Sequence, residues 1–411
     1  MFSTIISLLI PASLVILFRY LNAKQNPPIF GIYQIKNKSY WMKFMFMFTV
    51  LKIRQLITYI AHLLDIEFGG SSDGLVHIHN SEIDLEKKYF MGDNPKAVDA
   101  VYFNGASLKG EAVICGVARR PGQVCDAFLI LKVYGEELLL SPELHDTYQI
   151  QSHQEMGEYK INGISIQNFI PMRAWNVTYK GDMKLRSDPE KKVKVEMVLT
   201  WSSYWNPFNY NTQMSAASMA GDIAREQWSM GYFALLKKMH QSHYEQMGHI
   251  KGTVNIDGRE HVVNMPCVRD HSFGPFRDWR TFHRYVYHFI FLENGDSMAI
   301  GAVSQPAILS HVTIGYYCRR IDQSVHAIQS CDFQLYQHGE NQILSKDYGF
   351  VFKADGELHS VKIVVNDEEI FYIGKDRVAK FYERWCSVEV DGIKGCACVE
   401  WQFNNQTDTK N

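Results

Sequence analysis

No block of basic residues stands out in the 411-residue chain, where 42 lysines and arginines face 44 aspartates and glutamates. The electrostatic footprint that phosphate contacts demand is therefore missing, and nucleic acid is not expected as a partner. The eight cysteines (Cys115, Cys125, Cys267, Cys318, Cys331, Cys386, Cys396 and Cys398) include no CxxC pair and no zinc-type Cys/His spacing. They read as buried, reduced thiols, and no metal is assigned. Cys396 and Cys398 lie two apart in an expected strand and share a face, as core residues or as a ligand pair. No glycine-rich phosphate loop follows a strand pattern and no βαβ rhythm appears, so nucleotide folds lack support and no cofactor is implied. Proline is sparse at 12, whereas phenylalanine and tyrosine number 24 and 22. That balance favours strands with broad apolar faces over a helical bundle.

What is present begins with an uncharged apolar run, MFSTIISLLIPASLVILF, from Met1 to Phe18, followed by Arg19 and Lys24. It reads as a membrane anchor occupying residues 1–24. The alternative is a signal peptide ending at Ala23, which would make the protein secreted, but a basic n-region is lacking and the run is long for an h-region. With an anchor, the positive-inside bias leaves the bulk of the chain in the cytosol, on a membrane expected to be that of the endoplasmic reticulum. The sequons at Asn37, Asn176 and Asn405 would then carry no glycan. Residues 25–69 form a membrane-proximal segment. Its apolar stretch from Trp41 to Leu64 contains Lys43, Lys52 and Arg54, which makes a centred span costly. It fits a helix lying in the membrane interface, or one packed on the β region.

From the GGSSDG joint at 69–74 onward, short alternating runs are broken by Gly, Asp and Asn. The stretch from Ala97 to Arg120 reads as two strands around an Asn104-Gly105 corner. Residues 214–248, Ala- and Met-rich without proline, read as a helical linker. The expected fold is mostly β: two barrel domains, at 70–213 and 249–405, joined by that linker, preceded by the anchor helix and followed by a disordered tail at 406–411. The runs after the linker number about eight, enough to close a barrel that can hold one small ligand.

VDAVYFNGASLKGEAVICGVARR (98–120), HYEQMGHIKGTVNIDG (243–258), RDHSFGPFRDW (269–279) and GCACVEW (395–401) carry a family resemblance. Together they resemble an invertebrate and bacterial family of unassigned function, joined in some invertebrate members to a phosphoenolpyruvate-synthase-like module. No ATP-grasp or phosphohistidine segment is visible in this sequence. The wider resemblance is to tandem lipocalin-like proteins of the carotenoid 1,2-hydratase (hydroxyneurosporene synthase) type. It implies two lipocalin-like barrels with an apolar pocket in or between them. A small hydrophobic ligand, isoprenoid- or sterol-like, would be bound there and hydrated or isomerised.

Adding water to an isoprenoid double bond requires a proton donor and a shielded cation. Asp270, His271 and Asp278 are residue types suited to that work, with Arg269 and Arg277 near enough in sequence to tune them. Trp279, His283 and Glu400 are expected to support the pocket or the motif. The same motif reads equally as a latch of the second barrel. In that reading Arg/Asp pairs brace a corner shaped by Gly274 and Pro275, and Trp279 plugs a barrel end. His77 and His79 share a strand face and read as solvated edge residues. His283 and His288 read as pocket or core residues. Two other function classes stay open: a non-catalytic carrier, whose pocket would have no ionisable group pointing inward, and a scaffold without a deep pocket.

Overall fold

The computed structural model describes Val15 and residues 26–63, 85–239 and 241–405. The expected anchor, apart from Val15, lies outside the described residues, as do the GGSSDG joint, His77, His79 and the tail at 406–411.

Alternation of apolar and polar residues sets the strands. Lys192–Ser202 (KVKVEMVLTWS) buries every second side chain, as a strand with one face on a core must. It belongs to an antiparallel ring comprising Val98–Ala106, Ala112–Arg119, Val124–Lys132, Leu139–Leu140, Ala174–Leu185, Lys192–Ser202, Ser242–Ile256 and Arg259–Gly274. The last of these pairs back onto the first, so the ring closes. Phe103, Trp175, Trp201 and Met265 fill its interior.

Residues 249–274, expected in the second β domain, thus pair in the first sheet. The ring needs them: Arg259–Gly274 fills the gap between Val98–Ala106 and Ser242–Ile256. The expected Asn104-Gly105 corner is likewise strand interior, and the chain reverses at Ser107–Gly110, where Gly110 has φ 78°. Gly105 serves close approach instead, since a Cβ there would lie 3.0 Å from the Pro266 carbonyl oxygen and 3.1 Å from Cys267 Cβ.

The second sheet has nine strands and begins only at Arg284. Its two end strands, Ser324–Ala327 and Ser330–Cys331, are neighbours in sequence. The residues joining them bridge the edges: the Ile328 amide donates to Gly315 and the Gln329 amide to Lys353. The molecule is therefore two barrel-like sheets packed back to back. Arg284–Leu292 is buried on both faces. Val286 and Ile290 enter the second barrel, while Tyr285, Tyr287 and Phe289 join a third apolar core between the barrels.

Helix Ala216–Arg225, capped by the Ser215 hydroxyl, packs over this middle layer. Its Asp222 accepts from the Thr313 amide at 3.0 Å, and Glu226 accepts from the Ser310 amide and hydroxyl at 2.7 Å each. Helix Tyr40–Leu63 lies on it in turn, with Lys43 Nζ donating to the Glu226 carbonyl at 2.8 Å. No helix among the described residues is long and apolar enough to cross a membrane.

Candidate functional site

A cavity of about 410 Å³ lies between the barrels. Phe128, Tyr287, Phe289, Val312, Phe371 and Phe381 make most of its wall apolar. Its polar end follows from strand alternation in the RDHSFG segment. Arg269, His271 and Phe273 point into the first barrel, whereas Asp270 and Ser272 point into the cavity. On the neighbouring strand His243 and Glu245 face the same way, in register with Ser272 and Asp270.

His243 Nε2 hydrogen-bonds the Asp270 carboxylate and sits 3.4 Å from Glu245 Oε1. The Tyr210 ring stacks on the imidazole with centroids 4.4 Å apart, and its hydroxyl donates to Glu245 at 3.0 Å. Ser272 donates to the other Asp270 oxygen at 3.1 Å. Burial disfavours charge on His243, but Asp270 and Glu245 outweigh it and raise its pKa to about 9. Burial likewise works against the Asp270 carboxylate, yet His243 and then Arg277 hold it below the usual range. Glu245 is pushed up, first by burial and then by Asp270. Burial draws the Arg277 guanidinium down to about 10 against the pull of Asp270, and its Nε donates to Gln241 at 2.9 Å. Two neighbouring carboxyls with pKa values driven apart are the usual sign of separate acid and base roles.

The ligating atoms of His243, Glu245 and Asp270 lie within 4.8 Å of one another, a set with metal-ligand character. At neutral pH the shared Nε2 proton occupies the middle of that set, so a cation would have to displace it.

Asp270, Arg277, Trp279 and Glu400 line the cavity; Arg269, His271, Asp278 and His283 do not. His271 is fully enclosed in the first barrel. It bonds Asp99 at 2.9 Å and the Tyr244 hydroxyl at 2.9 Å, while Asp99 also pairs with Arg119. Arg269 pairs with Glu86 at 2.8 Å. Asp278 caps the turn Trp279–Thr281 and pairs with Lys96 and Arg280; despite burial, those partners lower its pKa to about 2. His283 bonds Glu340 at 2.5 Å, and His288, inside the second barrel, is lowered by burial to about 4. The expected Arg/Asp cross-bracing within the motif forms no close ion pair: Arg269 pairs with Glu86, Asp278 with Lys96 and Arg280, and Arg277, hydrogen-bonded to Gln241, acts on Asp270 only as a neighbouring charge. Trp279 packs edge-on to Phe381 at the cavity wall.

His243, Glu245, Tyr210 and Glu383 were not singled out from sequence. The available signal was the alternation His-x-Glu in SHYEQMG, which puts both side chains on one strand face.

Fold and site together define the class: a two-barrel β protein with an apolar inter-barrel cavity into which carboxyl, imidazole and guanidinium groups point. The chain belongs to the Family of unknown function (DUF8627), which its residues 8–403 match. No curated protein matches it. Among solved structures it is similar to an AttH candidate from Nitrosomonas europaea, at 9% identity and TM-score 0.48, over 77% of this chain and 97% of that one. It is also similar to kievitone hydratase from Nectria haematococca, at 9% identity and TM-score 0.46, over 78% and 94%.

Proposed function

We propose that the inter-barrel cavity binds a small hydrophobic molecule, isoprenoid- or sterol-like, and transforms it by proton transfer, with hydration of a double bond as the reaction. Isomerisation is the variant in which the cation loses a proton before water adds. The observation that carries this reading is the convergence of Asp270, His243, Glu245, Arg277 and Glu400 on an otherwise apolar cavity. A carrier needs none of them, and each costs desolvation that binding alone does not return. Asp270, held ionised by His243 and Arg277, suits the base that takes a proton from attacking water. The faces of Tyr287, Phe289 and Phe381 suit a developing cation.

The test is native mass spectrometry of the protein taken from its own membrane. It is followed by incubation of the full chain with farnesol, geranylgeraniol and a sterol in ¹⁸O-labelled water. Expected are a co-purifying hydrophobic molecule and a labelled alcohol from at least one probe. A bound molecule that no treatment converts would leave the carrier, and an empty cavity that takes no probe would leave the scaffold.

We also propose that the chain sits on a membrane, the anchor at residues 1–24 holding it and the bulk facing the cytosol. The outer face of Tyr40–Leu63 supports this: Trp41 is 66% exposed, Phe46 60% and Leu56 56%, a cost in water that an acyl boundary removes. A smaller cavity beside that helix, lined by Leu51, Arg54 and Gln55, shares Tyr210, Met214 and Met219 with the main one. It supports a path from the bilayer to the site. In intact microsomes a C-terminal epitope should be open to protease, and a photo-crosslinking side chain at Ile53 should label lipid whereas one at Met47 labels protein. A protected epitope, or protein adducts only at Ile53, would refute the arrangement.

A further inference from the structure

We infer that Glu400, backed by Glu383, is the proton donor of the cavity, standing on the wall contributed by the second barrel and acting on the same bound molecule as Asp270. This rests on the hydration reading above and adds to it the source of the first proton.

Glu383 and Glu400 are directly opposed across the strand pair Ala379–Val390 and Ile393–Asn404. Glu383 has no exposure, and Glu400, nearly buried, lines the cavity. Each accepts a hydrogen bond from a tyrosine: Tyr285 on Glu400 at 2.5 Å and Tyr102 on Glu383 at 3.0 Å. Cys398 Sγ donates to Glu383 at 3.2 Å, and Asn104 Nδ2 lies 3.5 Å from it. Neither carboxyl has an ion-pair partner among the described residues. Two carboxyls in contact, buried without a cation, cannot both be ionised, so the pair retains a proton. Asn104, a side chain with no exposure, turns its amide nitrogen to Glu383 and the Tyr102 hydroxyl, and its carbonyl oxygen has no hydrogen-bond partner among the described residues. Burial and then repulsion from Glu400 push Glu383 well up; burial and Asp270 push Glu400 up, against the hydrogen bonds of Tyr285 and Glu383 that favour its ionised form.

The step balances as a hydration. The π pair of the double bond takes the Glu400 proton to form a C–H bond, leaving a cation on the adjacent carbon and a carboxylate on Glu400. Water forms the C–O bond to that carbon, and Asp270 takes the proton the water sheds. That proton returns to the carboxyl pair through solvent, so one water is added and nothing else is consumed. Glu400 touches the reacting atoms, whereas Glu383 shares the retained proton with it and positions it.

Two measurements on the full chain test this. Infrared difference spectra at neutral pH should show a protonated-carboxyl band that shifts in heavy water and is displaced in Glu400→Gln, where Glu383 alone holds the proton. With the labelled-water assay, Glu400→Gln should retain the co-purifying molecule yet lose turnover by about a hundredfold or more. Glu383→Gln should move the alkaline limb of the pH profile downward, because the last proton of the pair is then no longer shared with a second carboxyl. A purely structural role would leave that limb in place. Should Glu400→Gln not fold, Tyr285→Phe serves, since freeing Glu400 Oε1 must displace the band. A band unchanged in these variants, or full turnover in Glu400→Gln, overturns the donor. A parent chain that shows the band but converts no probe overturns the hydration reading and the donor role with it. Turnover without the band overturns the donor alone.

Discussion

Arg269→Met is expected to destabilise the chain by about 3–5 kcal/mol, the usual cost of leaving one member of a buried ion pair without its partner. Arg269 has no exposed surface. Its guanidinium pairs with Glu86 at 2.8 Å, donates to Gln246 at 2.9 Å and to the Tyr244 hydroxyl at 3.2 Å, and packs between Trp175 and Trp201. Methionine fills part of the volume but leaves the Glu86 carboxylate facing apolar rings with Tyr244 and Asn168 as its remaining donors. The double variant Arg269→Met, Glu86→Gln should recover much of the loss, because no charge is then stranded. Urea unfolding followed by tryptophan fluorescence measures both. A loss below about 1 kcal/mol for the single variant, the scale of an exposed pair, would show that Arg269 does not lock the first barrel.

The two sides of one strand explain why the charged bend was hard to read. RDHSFG was open to two readings, latch or catalyst, and alternation divides the segment between two surroundings: Arg269 and His271 sit in the first barrel, not the second, while Asp270 faces the cavity. Sequence could supply the residues but not the register, and register depends on which strand lies alongside. Once Arg259–Gly274 pairs with both Val98–Ala106 and Ser242–Ile256, odd positions must enter the barrel with Phe103 and Met265. The barrel boundary was misplaced for a related reason. Strand runs on either side of the helices look alike, and nothing local in HIKGTVNIDG says that it closes the ring begined far earlier in the chain by Val98.

The mostly β fold was legible because alternation of the KVKVEMVLTWS kind is a local property. Glu400 was named for the pocket or the motif, but its partner was not, because Glu383 is an ordinary strand residue until the hairpin between them sets the two opposite one another. Asn104-Gly105 misled in the other direction: a dipeptide with a strong turn preference lies inside a strand because Gly105 lets Pro266 and Cys267 come close.

Asp270→Asn is expected to fold, to keep the co-purifying molecule and to lose conversion of the isoprenoid probes by about a hundredfold or more, the scale of a missing general base. Asparagine preserves shape and still accepts from Ser272, but it cannot take the proton shed by attacking water. The same variant carries a second signature. In the parent, His243 titrates at about 9 in the folded state, above its ordinary 6.5. A raised pKa means that protonation favours the folded form, so this stabilisation is fully present below about pH 6.5 and fades as pH rises through about 9. Parent stability, measured by urea unfolding across that range, should therefore decline with pH. In Asp270→Asn the main charge holding the proton on His243 is gone, burial draws its pKa back down, and the decline should largely vanish. Turnover in the variant equal to that of the parent would remove Asp270 from the chemistry. An unchanged pH slope would mean that the His243 proton is held by Glu245 rather than by Asp270.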